Sequence, residues 1–296
     1  MKDTALLIQS LTGFEPFLTG MFQQLQEADL APAAISTGGA SIPPSVWFSA
    51  GYPMDDYLAE IKKIHRFATP PSMVFSGSYS NGFFHSTSAF DLMRQITWGD
   101  GSSMFTCHYT PDLDQDEKMQ QAMQIPVYSG IIDLQSGQSQ TVNMQEFSAG
   151  KHHRWLTGRI PFFSPASQDG KTCIEDYYRN PPIKPLIKNK KIKKLVVIRL
   201  SNQKDHIPAT MLELQSRDME FTMDAVFERE MGFLENVNQW VAEGKLPKTE
   251  YRVIQKHIFY VQPEALDHLD YTGPGITRKY QAGQQKAQEI MEAIHK

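Results

Sequence analysis

The chain has 296 residues, 41% of them hydrophobic, and a formal net charge of −4. That length and apolar content suit one large folded domain and exclude a disordered chain. The acidic balance argues against nucleic acid as a partner, and no apolar run reaches the length of a bilayer span. Two cysteines, Cys107 and Cys173, make neither a disulfide framework nor a zinc site, so a reduced, cytoplasmic setting is expected. The opening "MKDTALLIQSLTGFEP" has Asp3 beside Lys2, a short apolar run and no small-residue cleavage site, unlike a secretory signal.

Strands and helices alternate from the start. "TALLIQSL" is a compact apolar run that predicts a buried strand. "FLTGMFQQLQEADLA" spaces Phe17, Met21, Phe22 and Leu25 along one helical face. "PAAIST" predicts a second short strand, and "PSVWFSAG" a helix with Pro44 near its first turn. "MDDYLAEIKKIHRFA" is amphipathic, acidic at its start and basic at its end, as the helix dipole favours.

Further along, "QIPVYSGIIDLQSGQSQTVNM" predicts two strands joined at Ser136-Gly137. "NPPIKP" predicts a rigid connection, because proline fixes the backbone. "KIKKLVVIRL" predicts a strand led in by lysines, whose charges keep an apolar segment soluble. "MLELQSRDMEFTMDAVFEREMGFLENVNQWVAEG" and "AGQQKAQEIMEAIHK" predict helices, with "YRVIQKHIFYV" one more strand between them. The expectation is a single α/β domain over residues 1–296, three-layered α/β/α around a mixed, mostly parallel sheet. Its core would cover about residues 4–205, with a helical part over about 206–296.

"ALLIQSLTGFEPFLTGMFQQLQEADLAPAAISTGGASIPPSVWFSAGY" and "LTGRIPFFSPASQDGKTCIEDYYRNPPIKPLI" followed by "KKLVVIRLSN" together resemble the patatin-like phospholipase family, and the helical tail with "AGQQKAQEIM" is similar in style to its bacterial members. The resemblance covers roughly residues 4–205. It implies a glycine-rich oxyanion loop after the first strand, and a Gly-X-Ser-X-Gly turn between the second strand and its helix. A Ser–Asp dyad would hydrolyse lipid acyl esters. An acyl-transfer site needs a nucleophile on a sharp turn, a base in reach and backbone N–H donors for the oxyanion.

In this sequence all three parts depart from the pattern. "ISTGGAS" places Gly39 at the serine position and Ser41 at the final glycine. The oxyanion-loop equivalent, Ser10, Leu11, Thr12 and Gly13, keeps one glycine, and Glu15 adds a carboxylate near a developing negative charge. "CIEDYYRNPP" offers Asp176 as a remnant acid, with Glu175 beside it, but no glycine behind either. The expected protein is a family member without its serine nucleophile, binding a lipid or acyl-type molecule or a protein partner. Peripheral membrane contact is compatible with this reading, and no cofactor or metal is implied.

The rival reading is an active lipid acyl hydrolase with Ser41 or Ser36 as a displaced nucleophile and Asp176 or Glu175 as acid. Both serines have a plainer reading as turn and helix-cap hydroxyls. A third reading puts different chemistry in the inherited pocket through His85, His152 or Glu15. His85 lies in the Gly/Ser/Asn-rich "SGSYSNGFFHSTS", a lid-like loop. His152 and His153 point to opposite faces of a strand and do not share a metal. With Lys151, Arg154 and Arg159 they make a basic patch suited to an anionic head group, or a plain solvated loop.

Overall fold

The computed structural model describes residues 1–9, 15–68, 113–146, 166–168, 171–176, 181–200, 211–261 and 273–295. Strand β1 (Thr4–Ile8) is buried at every position, so its apolar run does not alternate. That is the signature of a strand covered on both faces. Helix α1 (Glu15–Glu27) buries Phe17, Met21, Phe22 and Leu25, the expected stripe, and Leu18 with them. Strand β2 (Ala34–Ser36) follows, then a tight turn, helix α2 (Ile42–Ser49) and helix α3 (Met54–Ala68). Helix α2 begins at Ile42, so Pro43 and Pro44 both lie in its first turn, where a missing N–H costs little.

Helix α4 (Leu113–Ala122) leads into strand β3 (Val127–Asp133), which turns back as β4 (Ser139–Asn143). Gly137 takes φ +68 in that turn, and Asp133 accepts from the Gln135 amide and the Ser136 hydroxyl. Strands β5 (Ala166–Gln168) and β6 (Lys171–Glu175) pair antiparallel, Gln168 opposite Lys171. The segment expected to be a plain connection contains a short helix, α5 (Lys184–Lys188): Pro185 sits in its first turn, where proline is tolerated.

Strand β7 (Lys194–Leu200) precedes the long helix α6 (Met211–Ala242), strand β8 (Gln255–Val261) and helix α7 (Gly273–His295). The β8 strand starts only at Gln255 because the residues before it are engaged elsewhere. The Arg252 guanidinium donates to the carbonyls of Leu186, Ile187, Asn189 and Ile192, and the Ile254 amide donates to the Asn238 side chain.

The eight strands form one sheet in the order β5-β6-β3-β2-β1-β7-β8, with β4 paired to β3 outside that path. The five strands from β3 to β8 run parallel; β4 and β6 pair antiparallel with β3, and β5 pairs antiparallel with β6. One face packs α1, α2, α3, α4 and α7 through Phe17, Met21, Ile42, Ile61, Met119 and Ile290. The opposite face packs α5 and α6 through Leu186, Ile187, Phe227, Met231 and Leu234. The architecture is a three-layer α/β/α fold around a mixed sheet. Residues after 206 contribute both a strand and two helices to it.

Helices α1 and α7 meet with backbones almost touching. A Cβ on Gly20 would lie 2.0 Å from the Tyr280 carbonyl oxygen, and one on Gly283 would lie 1.9 Å from that of Phe17. Only glycine fits at either place. The Tyr280 hydroxyl donates to Gln23 Oε1 at 2.7 Å beside this crossing.

Candidate functional site

The turn after β2 is built around Gly39. The Thr37 amide extends the strand pairing by donating to Tyr128 O at 3.0 Å, and Gly38 is still extended at φ −150, ψ 170. Gly39 then takes φ +50. An L side chain there would cost about 1–2 kcal/mol, which explains why glycine occupies the position. Residues Gly39–Ser41 form a single 3-10 turn, and the Ile42 amide donates to Gly39 O as α2 begins. A strand, a positive-φ residue and a helix in this order have the shape of a nucleophile elbow. Here its central residue carries no side chain.

Asp176 comes to the same place from another strand. Its amide donates to Gly130 O at 3.0 Å, while Thr37 donates to Tyr128 O on the same edge of β3. Carbonyls two residues apart on a strand lie about 7 Å apart. Strand β2 therefore occupies the first half of that edge and the end of β6 the second, and Asp176 stands just beyond Thr37. Asp176 is buried, and the Ser139 hydroxyl of β4 donates to its carboxylate. Ser139 stands opposite Ile132 on one edge of β3 and Asp176 beside Gly130 on the other, so this bond crosses the strand diagonally. Glu175 closes β6 opposite Ile131.

The two candidate serines have different surroundings. Ser36 belongs to β2 itself, and its hydroxyl donates to Pro182 O at 2.6 Å, tying the Pro181-Pro182 segment to the sheet. It is a strand residue, not the turn hydroxyl expected. Ser41 occupies the N-cap position of α2, yet it makes no side-chain cap bond. The reason is local. A cap hydroxyl accepts from the second or third helical N–H, and those residues are Pro43 and Pro44, which have none. The Ser41 hydroxyl is fully buried and has no hydrogen-bond partner among the described residues.

Two more hydroxyls share that condition, Thr37 at 0% exposure and Ser129 at 1%. Each buried, unmet hydroxyl costs about 1–3 kcal/mol. Three of them, two flanking the turn and one on β3, are a large fraction of the roughly 5–15 kcal/mol that holds a domain folded. Neither Thr37 nor Ser129 stood out in the sequence. The available signal was a small polar residue inside an apolar strand, "VYSGIID" for Ser129, and the Pro43-Pro44 pair for Ser41.

A charged cluster sits next to the elbow, where the strand order reverses direction. Strand β2 lies on one side of β1 and β7 on the other, and ligand crevices in open α/β sheets form outside the carboxyl ends of strands at such a point. Gln9, just past β1, donates to Asp224 Oδ1 at 3.0 Å. Arg199, near the end of β7, lies 3.3 Å from that same carboxylate oxygen, pairs with Glu228, and stacks its guanidinium 5.2 Å from the centre of the Phe227 ring. Burial works to lower the Arg199 pKa, but the bonds to Glu228 and Asp224 outweigh it, so the value is raised and the charge is held. Asp224 Oδ2 has no hydrogen-bond partner among the described residues.

Of the other sequence candidates, Ser10, Leu11, Thr12, Gly13, His85, His152 and Arg159 lie outside the described residues, as do His153 and Cys107. Cys173 is buried in β6. Glu15 is the first residue of α1, and its carbonyl accepts from the Thr19 hydroxyl. Among the described residues no three His, Cys, Asp or Glu side chains are grouped to hold a metal, and no helix is long and apolar enough to cross a membrane.

No protein-family model matches the chain, and no curated protein matches it. Among solved structures it is similar to VipD from Legionella pneumophila, with 10% sequence identity and a TM-score of 0.46 over 99% of this chain and 67% of that one.

Proposed function

We propose that this chain is a single-domain, patatin-like protein that does not perform serine-dependent acyl hydrolysis and instead binds an acyl-type ligand at the carboxyl ends of β1 and β2. One observation carries the reading: Gly39 holds the φ +50 apex of a strand–turn–helix elbow, and Asp176, at the end of β6, shares with Thr37 the edge of β3 from which that elbow departs. The scaffold of a Ser–Asp site is retained, and its nucleophile position has only hydrogen. Asp176 is engaged by Ser139 and has no serine hydroxyl at position 39 from which to take a proton.

A second reading, hydrolysis through Ser41 with Asp176 as base, draws on the unpartnered Ser41 hydroxyl. Its weakness is position. Ser41 stands two residues past the apex and is fully buried at the start of α2, and a nucleophile must reach a near-attack geometry.

Isothermal titration with octanamide, alongside turnover of 4-nitrophenyl octanoate, tests the proposal. Binding without turnover above the uncatalysed rate is the expected outcome. Steady turnover that disappears in Ser41→Ala would replace the proposal with the second reading.

A further inference from the structure

The hydroxyls of Thr37, Ser41 and Ser129 share one side of the sheet. Thr37 follows Ser36, which is in register with Tyr128, so Thr37 lies abreast of Ser129 on the neighbouring strand, about 5 Å away. Both alternate in phase with Ile35, Val127 and Ile131, which pack into the core under α2. Helix α2 is fixed over this spot at its far end, where the Ser49 hydroxyl donates to Ile125 O at 2.5 Å just before β3. Ser41, at the start of α2, is thus on the same side of the sheet as Thr37 and Ser129, with Ile42 and Val46 of that helix in the same core cluster as Ile35 and Val127. Pro43 and Pro44 keep Ser41 out of the capping bond that would otherwise use it.

We propose that Thr37, Ser41 and Ser129 form a buried, uncharged subsite that receives the carbonyl oxygen of an acyl ligand. Resting on the acyl-binding reading above, this assigns the residues that recognise the acyl group. Each hydroxyl has a proton to donate, and a carbonyl oxygen has two lone pairs and no proton, so the chemistry is complementary. A neutral carbonyl suits the site better than a carboxylate, because a charge placed among Ile35, Val127, Ile42 and Val46 would be desolvated without a counter-ion. The hydroxyl oxygens could also accept from an ammonium, but its charge would be desolvated in the same apolar surroundings. The same apolar residues would surround the start of the acyl chain.

The test compares octanamide, octanoate and octylammonium as ligands by titration calorimetry and by the shift in melting temperature. Parent protein is set beside Thr37→Val, Thr37→Ser, Ser41→Ala and Ser129→Ala. Octanamide should bind the parent at least about tenfold tighter than the other two ligands. Thr37→Val, Ser41→Ala and Ser129→Ala should each weaken octanamide roughly tenfold, with ligand-free melting temperatures equal to or above that of the parent, since each removes an unmet hydroxyl. Thr37→Ser, which keeps the donor, should bind like the parent. Unchanged affinity in all three deletions would overturn the subsite and leave the acyl-binding reading standing. Equal binding of octylammonium would assign recognition to the chain alone and also overturn it. Absence of any octanamide binding by the parent would end both.

Discussion

Thr37 and Asp176 are suspended from one edge of β3, their amides donating to the carbonyls of Tyr128 and Gly130, each at 3.0 Å. Two strands that are far apart in sequence thus deliver the elbow and a buried carboxylate to neighbouring positions. The pairing is made by backbone, so it does not depend on a side chain at position 39. That arrangement gives the first prediction. Gly39→Ala should destabilise the fold by about 1–2 kcal/mol, the cost of an L residue in the left-handed region. Gly39→Asn should cost less, because asparagine tolerates that region better. Urea unfolding midpoints of the three proteins measure the order.

At the crossing of α1 and α7 the substitution costs should be larger. Gly20→Ala and Gly283→Ala each push a methyl group into backbone, at 2.0 Å and 1.9 Å, where no flexible side chain can yield. Each should cost about 3 kcal/mol or more, the upper end for overpacking. Gly232→Ala, inside α6 with nothing within 4 Å of the new Cβ, should instead stabilise by up to about 1 kcal/mol. Thermal melts of the three variants check both signs.

Arg252 closes the carbonyl end of α5, with its guanidinium on the backbone oxygens of Leu186, Ile187, Asn189 and Ile192. Arg252→Ala leaves these acceptors unmet and should cost about 2 kcal/mol or more. Lysine recovers only part of this, since a point ammonium cannot span four oxygens as a planar fork does. Hydrogen exchange at the Ile187 and Asn189 amides should speed up in both variants.

Tyr280 provides a pH signature. Burial first, and then the charges of Asp55 and Glu27, raise its pKa above the ordinary tyrosine value of 10.0. The folded chain therefore keeps this proton to higher pH than the unfolded chain does. Its contribution to stability is complete below about pH 10 and is lost as the pH rises through the folded value. Tyr280→Phe should show a shallower loss of stability above about pH 10. Urea midpoints across that range, with the tyrosinate absorbance of the folded protein, measure it.

The parallel strands were legible because β1, β3 and β7 are apolar runs between breakers, and α1 and α3 because their stripes keep helical spacing. Other elements left weaker marks. Helix α4 is "LDQDEKMQQA", with few apolar positions to set a phase, and β5 has three residues. Helix α5 lay inside a proline-rich stretch that reads as a connection. At the site, the glycine at position 39 was legible in "STGGAS", but the placement of Asp176 beside it depends on long-range pairing that no local pattern encodes. The lone state of Ser41 was written in the sequence all along, in the two prolines that follow Ile42. Thr37 and Ser129 become a pair only through the register of β2 and β3.

The measurement that bears most directly on the proposed lack of a serine nucleophile is the intact mass of the purified protein after exposure to a fluorophosphonate. The parent should keep its unmodified mass, because position 39 offers no hydroxyl, while Gly39→Ser supplies one and tests whether the rest of the elbow can activate it. Addition of one phosphonyl group to the parent, removed by Ser41→Ala, would contradict the account and identify a working serine two residues beyond the apex.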